Sequence, residues 1–429
     1  MRLTPARRVK GRLTLPGDKS ISHRAALIAA LASGSTEISN FSTAADCAST
    51  VACLQQLGAR VETLNGKLHF TGDRQLNAPN APLDCGNSGS TMRILAGVLA
   101  GHDFSAELTG DASLSSRPMR RIIEPLELMG ATFEANDGKP PLLVRGSGKP
   151  VPITYQLPVA SAQVKSAILF AGLFAHGRTT VIEKSPSRDH TERLFNGFGV
   201  PVTTESDLSI SIEGPARFTG GPITIPGDVS SAAYFVAAAM LLPASELTIE
   251  SVGLNPTRAA FLAVLRNWGA EVSTSDLHDE RNEPVGTIRV TGGLHSVAND
   301  EDRILSGSLI PSLIDELPLL AVVGTQIPGG IQIRDAGELR LKESDRLKAT
   351  AVNLRAMGAE VEEFDDGMAV SGPVQLRGAT IDSYGDHRIA MAFSVAALIA
   401  VGETEIKGSD CVAISFPEFY ELLDSVAEK

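Results

Sequence analysis

Apolar and polar positions along the chain fall into two interleaved repeating patterns. In the first, a helix-like segment ends in a hydrophobic residue, a glycine and a strand-like tail: LGARVE from Leu57, MGATFE from Met129, FGVPVT from Phe198, WGAEVS from Trp268 and MGAEVE from Met357. The glycines, Gly58, Gly130, Gly199, Gly269 and Gly358, are spaced by 72, 69, 70 and 89 residues. Met119, Ile122, Ile123, Leu126 and Met129 share one helical face in the second copy, and Leu347, Ala351, Leu354 and Met357 do so in the fifth. Each glycine supplies the left-handed residue that stops its helix. A sixth copy, FPEFYELLDSVAEK, reaches the last residue of the sequence after its helix.

The second pattern is a polar start, a helix hydrophobic almost all round, and a short Thr/Ile/Val strand. Its six copies are marked by Asp18, Asn87, Ser161, Asp228, Asp315 and Asp386, spaced by 69, 74, 67, 87 and 71 residues. A helix apolar on every side is buried, whereas its amphipathic partner lies on a surface. The 429 residues therefore read as six repeats of about 70, each with one inner and one outer helix and strands packed on them. The long interval holds SDLHDERNEPVG (Ser275–Gly286), which reads as a surface insertion. LTLPGDKSISHRAALIAAL from Leu13 and ITIPGDVSSAAYFVAAAML from Ile223 match most closely, 210 residues apart, which predicts a doubled three-repeat domain. With the crossings placed at Gly17 and Gly227, domain one is 1–17 plus 227–429 and domain two is 18–226, with a substrate cleft between them.

Charge narrows the function. Lys and Arg number 38 against 50 Asp and Glu, a net charge of −12, which opposes a nucleic-acid or anionic-membrane partner. The four cysteines, Cys47, Cys53, Cys85 and Cys411, form no CxxC pair, and the eight histidines show no HExxH spacing, so no metal site is suggested. His69, His102, His176, His278 and His295 fall in loop or strand contexts. No signal-peptide core and no apolar run of 18 residues are found, which reads as a soluble cytoplasmic protein.

Candidate chemistry collects at the helix starts, where free N–H groups attract anions. The inner helices open with Lys19, Ser20 and Arg24, with Asn87, Ser88, Gly89 and Ser90, with Ser161, Gln163 and Lys165, and with Asp386, His387 and Arg388. The outer ones open with Arg117, with Arg188, Asp189 and His190, and with Lys342, Glu343, Ser344, Asp345 and Arg346. A single Ser, Asp or Asn there is ordinarily an N-cap, a reading that covers Ser230, Ser231 and Asp46. Several basic starts in an acidic chain oppose the usual capping preference. They point to a cleft for a small polyanion. Asp315 either caps the fifth inner helix or titrates in that cleft, and Glu343 is either a second acid or part of an ion-pair network with Lys342 and Arg346. Lys19 is not a P-loop lysine, because GxxxxGK[ST] is absent.

The strings LPGDKSISHR, GNSGSTMR, SSRPM, SAQVKSA, RDHTE, IDELP, LKESDR and GDHRIAM, in this order across the chain, resemble the 5-enolpyruvylshikimate-3-phosphate synthase family, more its second bacterial class than its first. The resemblance implies an α/β fold, an inside-out α/β barrel of two domains, each of three βαβαββ repeats. It also implies transfer of the enolpyruvyl group of phosphoenolpyruvate to the 5-hydroxyl of shikimate 3-phosphate, with release of phosphate, by a monomer that uses no metal or organic cofactor. That is a step of the shikimate pathway towards chorismate and the aromatic amino acids.

Carried over residue by residue, Lys19 touches both substrates, and Ser20, Arg24, Ser161, Ala162, Gln163, Arg188, Asp315 and Lys342 hold shikimate 3-phosphate. Gly89, Arg117, Gln163, Arg346 and Arg388, with Lys19, receive phosphoenolpyruvate. Asp315, Glu343 and Lys19 are the expected acid–base groups. Ala162 stands where many relatives have Ser, and Ile414 where the first class has a phosphoenolpyruvate lysine. Gly89 keeps the small residue that leaves room for glyphosate, while Ile94 replaces a common Pro. The related transferase acting on UDP-N-acetylglucosamine is the alternative. It pairs its lysine with Asn and carries a loop cysteine, whereas Ser20 follows Lys19 here and Gly110–Met119 has no cysteine. A nucleic-acid-binding protein on a related repeat fold is opposed by the charge and by an aromatic content of 5%.

Overall fold

The computed structural model describes residues 1–73, 75–294 and 300–429, so His295 lies outside the described residues. Six inner helices, Lys19–Leu31, Gly89–Ala100, Ala162–Gly172, Val229–Leu241, Leu317–Gly324 and His387–Ile399, are buried along nearly their whole length. Asp18, Ser88, Ser161, Asp228 and Asp386 cap five of them through their side chains. The fifth starts behind Glu316 without a side-chain cap and carries Pro in its first turn.

Of the outer helices, Arg120–Leu128 buries one stripe, and Arg346–Ala356 leaves only Lys348, Val352, Arg355 and Ala356 exposed. In these two, Ile122, Leu126, Leu347, Ala351 and Leu354 are fully buried, as the periodicity predicts. The five stop glycines all have positive φ, from +82° at Gly199 to +99° at Gly130. That conformation costs a side-chain-bearing residue about 1–2 kcal/mol.

Contacts divide the described residues into two compact units. The first is Met1–Pro16, Gly227–His278 and Pro284–Lys429; the second is Gly17–Pro226 with Asp279–Glu283. In the second unit three four-stranded sheets share one order: a short strand, the strand after the inner helix, then the hairpin strands, second before first. Thr154–Gln156, Gly177–Ile182, Ser209–Gly214 and Val202–Thr204 form one of them. Its first pair is parallel and the other two pairs are antiparallel.

The doubled PGD turns mark an exchange of strands. Arg8–Thr14 pairs in parallel with Glu246–Gly253 of the first unit, and Ile223–Thr224 pairs with Ser33–Ser39 of the second. The backbones close reciprocally, Asp18 N to Pro226 O at 2.8 Å and Asp228 N to Pro16 O at 3.1 Å. The sixth repeat has no hairpin of its own. Arg2–Leu3 takes the vacant place beside Thr404–Lys407, which covers a sheet edge that would otherwise be open.

The segment read as a surface insertion is structured. Ala270–Glu280 and Glu283–Leu294 form a long hairpin, and its tip, Asp279–Glu283, groups with the second unit. Glu283 is buried against His190 Nδ1 at 2.7 Å, and the Arg281 guanidinium stacks 4.6 Å from the Phe198 ring. The segment does lie at the surface, with Asp276–Asp279 and Asn282 exposed, while Glu283 turns inward.

Candidate active site

In the second unit the start of the first inner helix carries Lys19, whose ammonium stands 3.0 Å from Asp46. Asp46 is therefore not the expected N-cap. Its helix, Ala45–Gln56, begins behind Ala44 with no side-chain cap bond. Arg24, one turn on from Ser20, is buried and donates to three neutral acceptors. These are Thr191 Oγ1 at 2.7 Å, Ser166 Oγ at 2.8 Å and the Ser20 carbonyl at 2.8 Å. Burial pushes the Arg24 guanidinium down to about 10, with Glu192 opposing, so it is still a cation at neutral pH. His23 beside it is neutral, because burial pushes its imidazole down to about 3 against the pull of Asp46.

A second group forms around Gly89. Arg117 donates to Asn87 Oδ1 at 2.8 Å and Ser113 Oγ at 3.0 Å, and Asn87 donates to Asp111 at 2.6 Å. Gln163 accepts from Arg93 at 2.6 Å and donates to Ser90 at 2.9 Å. A Cβ on Gly89 would lie 2.8 Å from Arg93 Nη1 and 3.4 Å from Arg117 Nη1, so the glycine lets two guanidiniums approach the helix start. Arg117 does not open an outer helix as expected. It ends the short helix Ala112–Ser116, three residues before Arg120. Ser161 caps its own helix, with Ala162 as the first helical residue, and Arg188 stands half-buried just before the helix His190–Gly197.

Lys165, read as a basic helix start, is instead spent internally. Its ammonium is almost fully buried and binds Glu183 at 2.8 Å and Glu192 at 2.7 Å. The two carboxylates raise its pKa against the effect of burial.

The first unit holds the densest charge cluster. Arg346 is buried and donates to Asp386 at 2.8 Å, to Glu343 at 2.5 Å and to Asp315 at 3.3 Å. Arg388 lies 3.8 Å from the other Asp315 oxygen and 3.7 Å from Glu316. Asp315 thus stands between two guanidiniums, and the helix it might have capped begins behind Glu316. Glu343 is part of an ion-pair network, with Arg346 at 2.5 Å. Lys342 is half-buried, and burial lowers its ammonium pKa, with Asp315 opposing.

Arg93 and Glu316 had no assigned role in the sequence, and Asn87 and Asp386 stood only as helix starts. Arg93 was findable, since it follows Gly89 by four residues and so shares its helix face. Ser230 and Ser231 are not caps; Asp228 accepts from both of their backbone N–H groups. Among the described residues no group of three or more His, Cys, Asp or Glu is placed to hold a metal ion, and no single helix is long and apolar enough to cross a membrane.

Repeated α/β modules here gather cations and interposed carboxylates at helix starts, an arrangement suited to a polyanionic ligand. The profile of EPSP synthase (3-phosphoshikimate 1-carboxyvinyltransferase) matches residues 3–423. The chain belongs to the EPSP synthase family. The 3-phosphoshikimate 1-carboxyvinyltransferase of Koribacter versatilis (strain Ellin345) is 52% identical over 432 residues, covering 100% of this chain and 99% of that protein. That of Akkermansia muciniphila is 50% identical, covering 96% of each. The solved EPSP synthase structure from Acinetobacter baumannii superposes with a TM-score of 0.88 at 39% identity, over 99% of this chain and 97% of that one. The fold is that of this family, as the repeats and the resemblance both lead one to expect.

Proposed function

We infer that this enzyme transfers the enolpyruvyl group of phosphoenolpyruvate to the 5-hydroxyl of shikimate 3-phosphate and releases phosphate. The observation that carries the reading to the level of residues is Asp315, a carboxylate at 3.3 Å from Arg346 and 3.8 Å from Arg388. Arginine forks pair bidentately with carboxylate and phosphate, which suits these two and Arg117 to phosphoenolpyruvate. Gln163 and the Gly89 backbone join them. Lys19, Ser20, Arg24, Ser161, Ala162, Gln163, Arg188, Asp315 and Lys342 take shikimate 3-phosphate.

In the addition step Asp315 accepts the proton of the 5-hydroxyl as its oxygen bonds to C2 of phosphoenolpyruvate. The methylene carbon gains a proton, for which Lys19 and Glu343 are the assigned acid–base groups. In the elimination step the methyl group returns a proton as the C2–O bond to phosphate breaks. Positioned acid–base groups contribute about 10²–10⁴-fold each, and orientation and charge stabilisation supply the rest.

Phosphate release from phosphoenolpyruvate tests the reading, with shikimate 3-phosphate in one tube and UDP-N-acetylglucosamine in another. Release with the first alone is expected; release with the nucleotide sugar alone would overturn it. Glyphosate should compete with phosphoenolpyruvate, because Gly89 puts no side chain between the helix start and the guanidiniums of Arg93 and Arg117. Indifference to millimolar glyphosate would refute that. We further assign a monomer, to be checked by sedimentation, and a cytoplasmic location, which suits four buried free thiols.

A further inference from the structure

Arg258 lies outside every substrate contact proposed above, yet it is among the largest fully buried side chains. Its position follows from local sequence. In Asn255-Pro256-Thr257-Arg258 the Asn255 side chain accepts from Thr257 N at 2.9 Å and Thr257 Oγ1 at 2.8 Å, and Arg258 N bonds Asn255 O at 2.8 Å. This turn aims the guanidinium at Ser230, to which it donates, and the Ser230 hydroxyl donates in turn to Glu316 Oε1. Asp228 lies 3.9 Å from the same guanidinium. Ser230 and Glu316 are each 1% exposed.

The oxygen of Glu316 that Ser230 holds is also the one nearest Arg388, at 3.7 Å. That is ion-pair distance but beyond a hydrogen bond. A buried glutamate beside a buried arginine would ordinarily close to a charge-assisted pair, which is stronger than a neutral hydrogen bond. Here the Arg258–Ser230 arm ties the carboxylate back.

We propose that Arg258 is a positioning residue for phosphoenolpyruvate: acting through Ser230, it holds Glu316 off Arg388, so that the Arg388 Nη1 facing Glu316 is kept for the substrate anion. The inference rests on the assignment of Arg388 to phosphoenolpyruvate. In Arg258→Gln the restraint is lost, Glu316 closes on Arg388, and substrate must compete with an internal carboxylate. Removing the charge of Glu316 as well cancels the effect.

The test is steady-state kinetics of wild type, Arg258→Gln, Glu316→Gln and the double variant, each checked for folding by its melting temperature. Wild-type turnover with shikimate 3-phosphate is the control for the underlying reading, and its absence would remove that reading separately. Arg258→Gln should raise KM for phosphoenolpyruvate about tenfold, the loss of one good charge-assisted contact, with KM for shikimate 3-phosphate and kcat nearly unchanged. Glu316→Gln alone should leave KM for phosphoenolpyruvate near wild type, and the double variant should return to it. An unchanged KM in folded Arg258→Gln, or a double variant no better than the single, overturns the proposal. Should Arg258→Gln not fold, Glu316→Gln decides: a KM for phosphoenolpyruvate raised about tenfold in that variant means that Glu316 orients Arg388 rather than competing for it.

Discussion

Replacing Lys165 with Met would remove one cation from between two carboxylates while keeping the length of the side chain. Lys165 is 1% exposed, and Glu183 and Glu192 are 4% and 7% exposed, at 2.8 and 2.7 Å from its ammonium. Breaking a buried pair on one side strands the other charge, at a cost of about 3–5 kcal/mol. For a unit of this size each kcal/mol lowers Tm by about 2–4 °C, so the variant should melt about 6–20 °C lower at pH 8. The pH dependence has a defined sign. Burial already raises the Glu192 pKa above its ordinary value, and without Lys165 it rises further. Below the unfolded-state pKa both states are protonated and the penalty vanishes; above the folded-state pKa it is complete. The deficit should therefore shrink as pH falls from 8 to 5, as read by calorimetry or circular dichroism. A Tm within 2 °C of wild type at pH 8, or a deficit that grows on acidification, would refute the argument and return Lys165 to the candidate substrate ligands.

Three further outcomes follow from the geometry. Asp315→Ala should reduce turnover at least about 100-fold, since it removes the proposed base together with one contact to shikimate 3-phosphate; near-normal turnover would falsify the assignment. Lys342 has a depressed pKa and so loses its charge below the ordinary lysine value of 10.5. KM for shikimate 3-phosphate should accordingly begin to rise before that pH, and Lys342→Arg should move this alkaline limb upward; an unmoved limb would exclude Lys342 as its source. Gly97→Ala would set a Cβ 2.1 Å from the Ala167 carbonyl of the neighbouring inner helix. Such overpacking costs about 1–3 kcal/mol, which should lower Tm by about 2–12 °C, and an unchanged melting curve would mean that the two helices can separate freely.

The repeats, the inner and outer helices and their stop signals were legible in the sequence because each depends on neighbours within about one helical turn. Hydrophobic period, a capping Asp or Ser and a glycine at positive φ act locally, and Leu347, Ala351 and Gly358 behave as their spacing requires. The residue types of the site were legible for the same reason, standing at helix starts that recur every 70 residues or so. Which charge meets which was a different matter. Lys165 and Arg24 open neighbouring inner helices with similar local patterns, yet the first is neutralised by Glu183 and Glu192 while the second donates to two hydroxyls and a carbonyl. Asp46 reads as a cap and pairs with Lys19 from 27 positions away. Glu283 sits in a polar run and is buried against His190, 93 residues earlier. Such pairings arise only when separate elements pack, because a charge is screened in the extended chain and becomes decisive once water is excluded around it. Local sequence determined where cations and acids stand along each helix; tertiary packing decided which of them neutralise one another and which are left for a substrate.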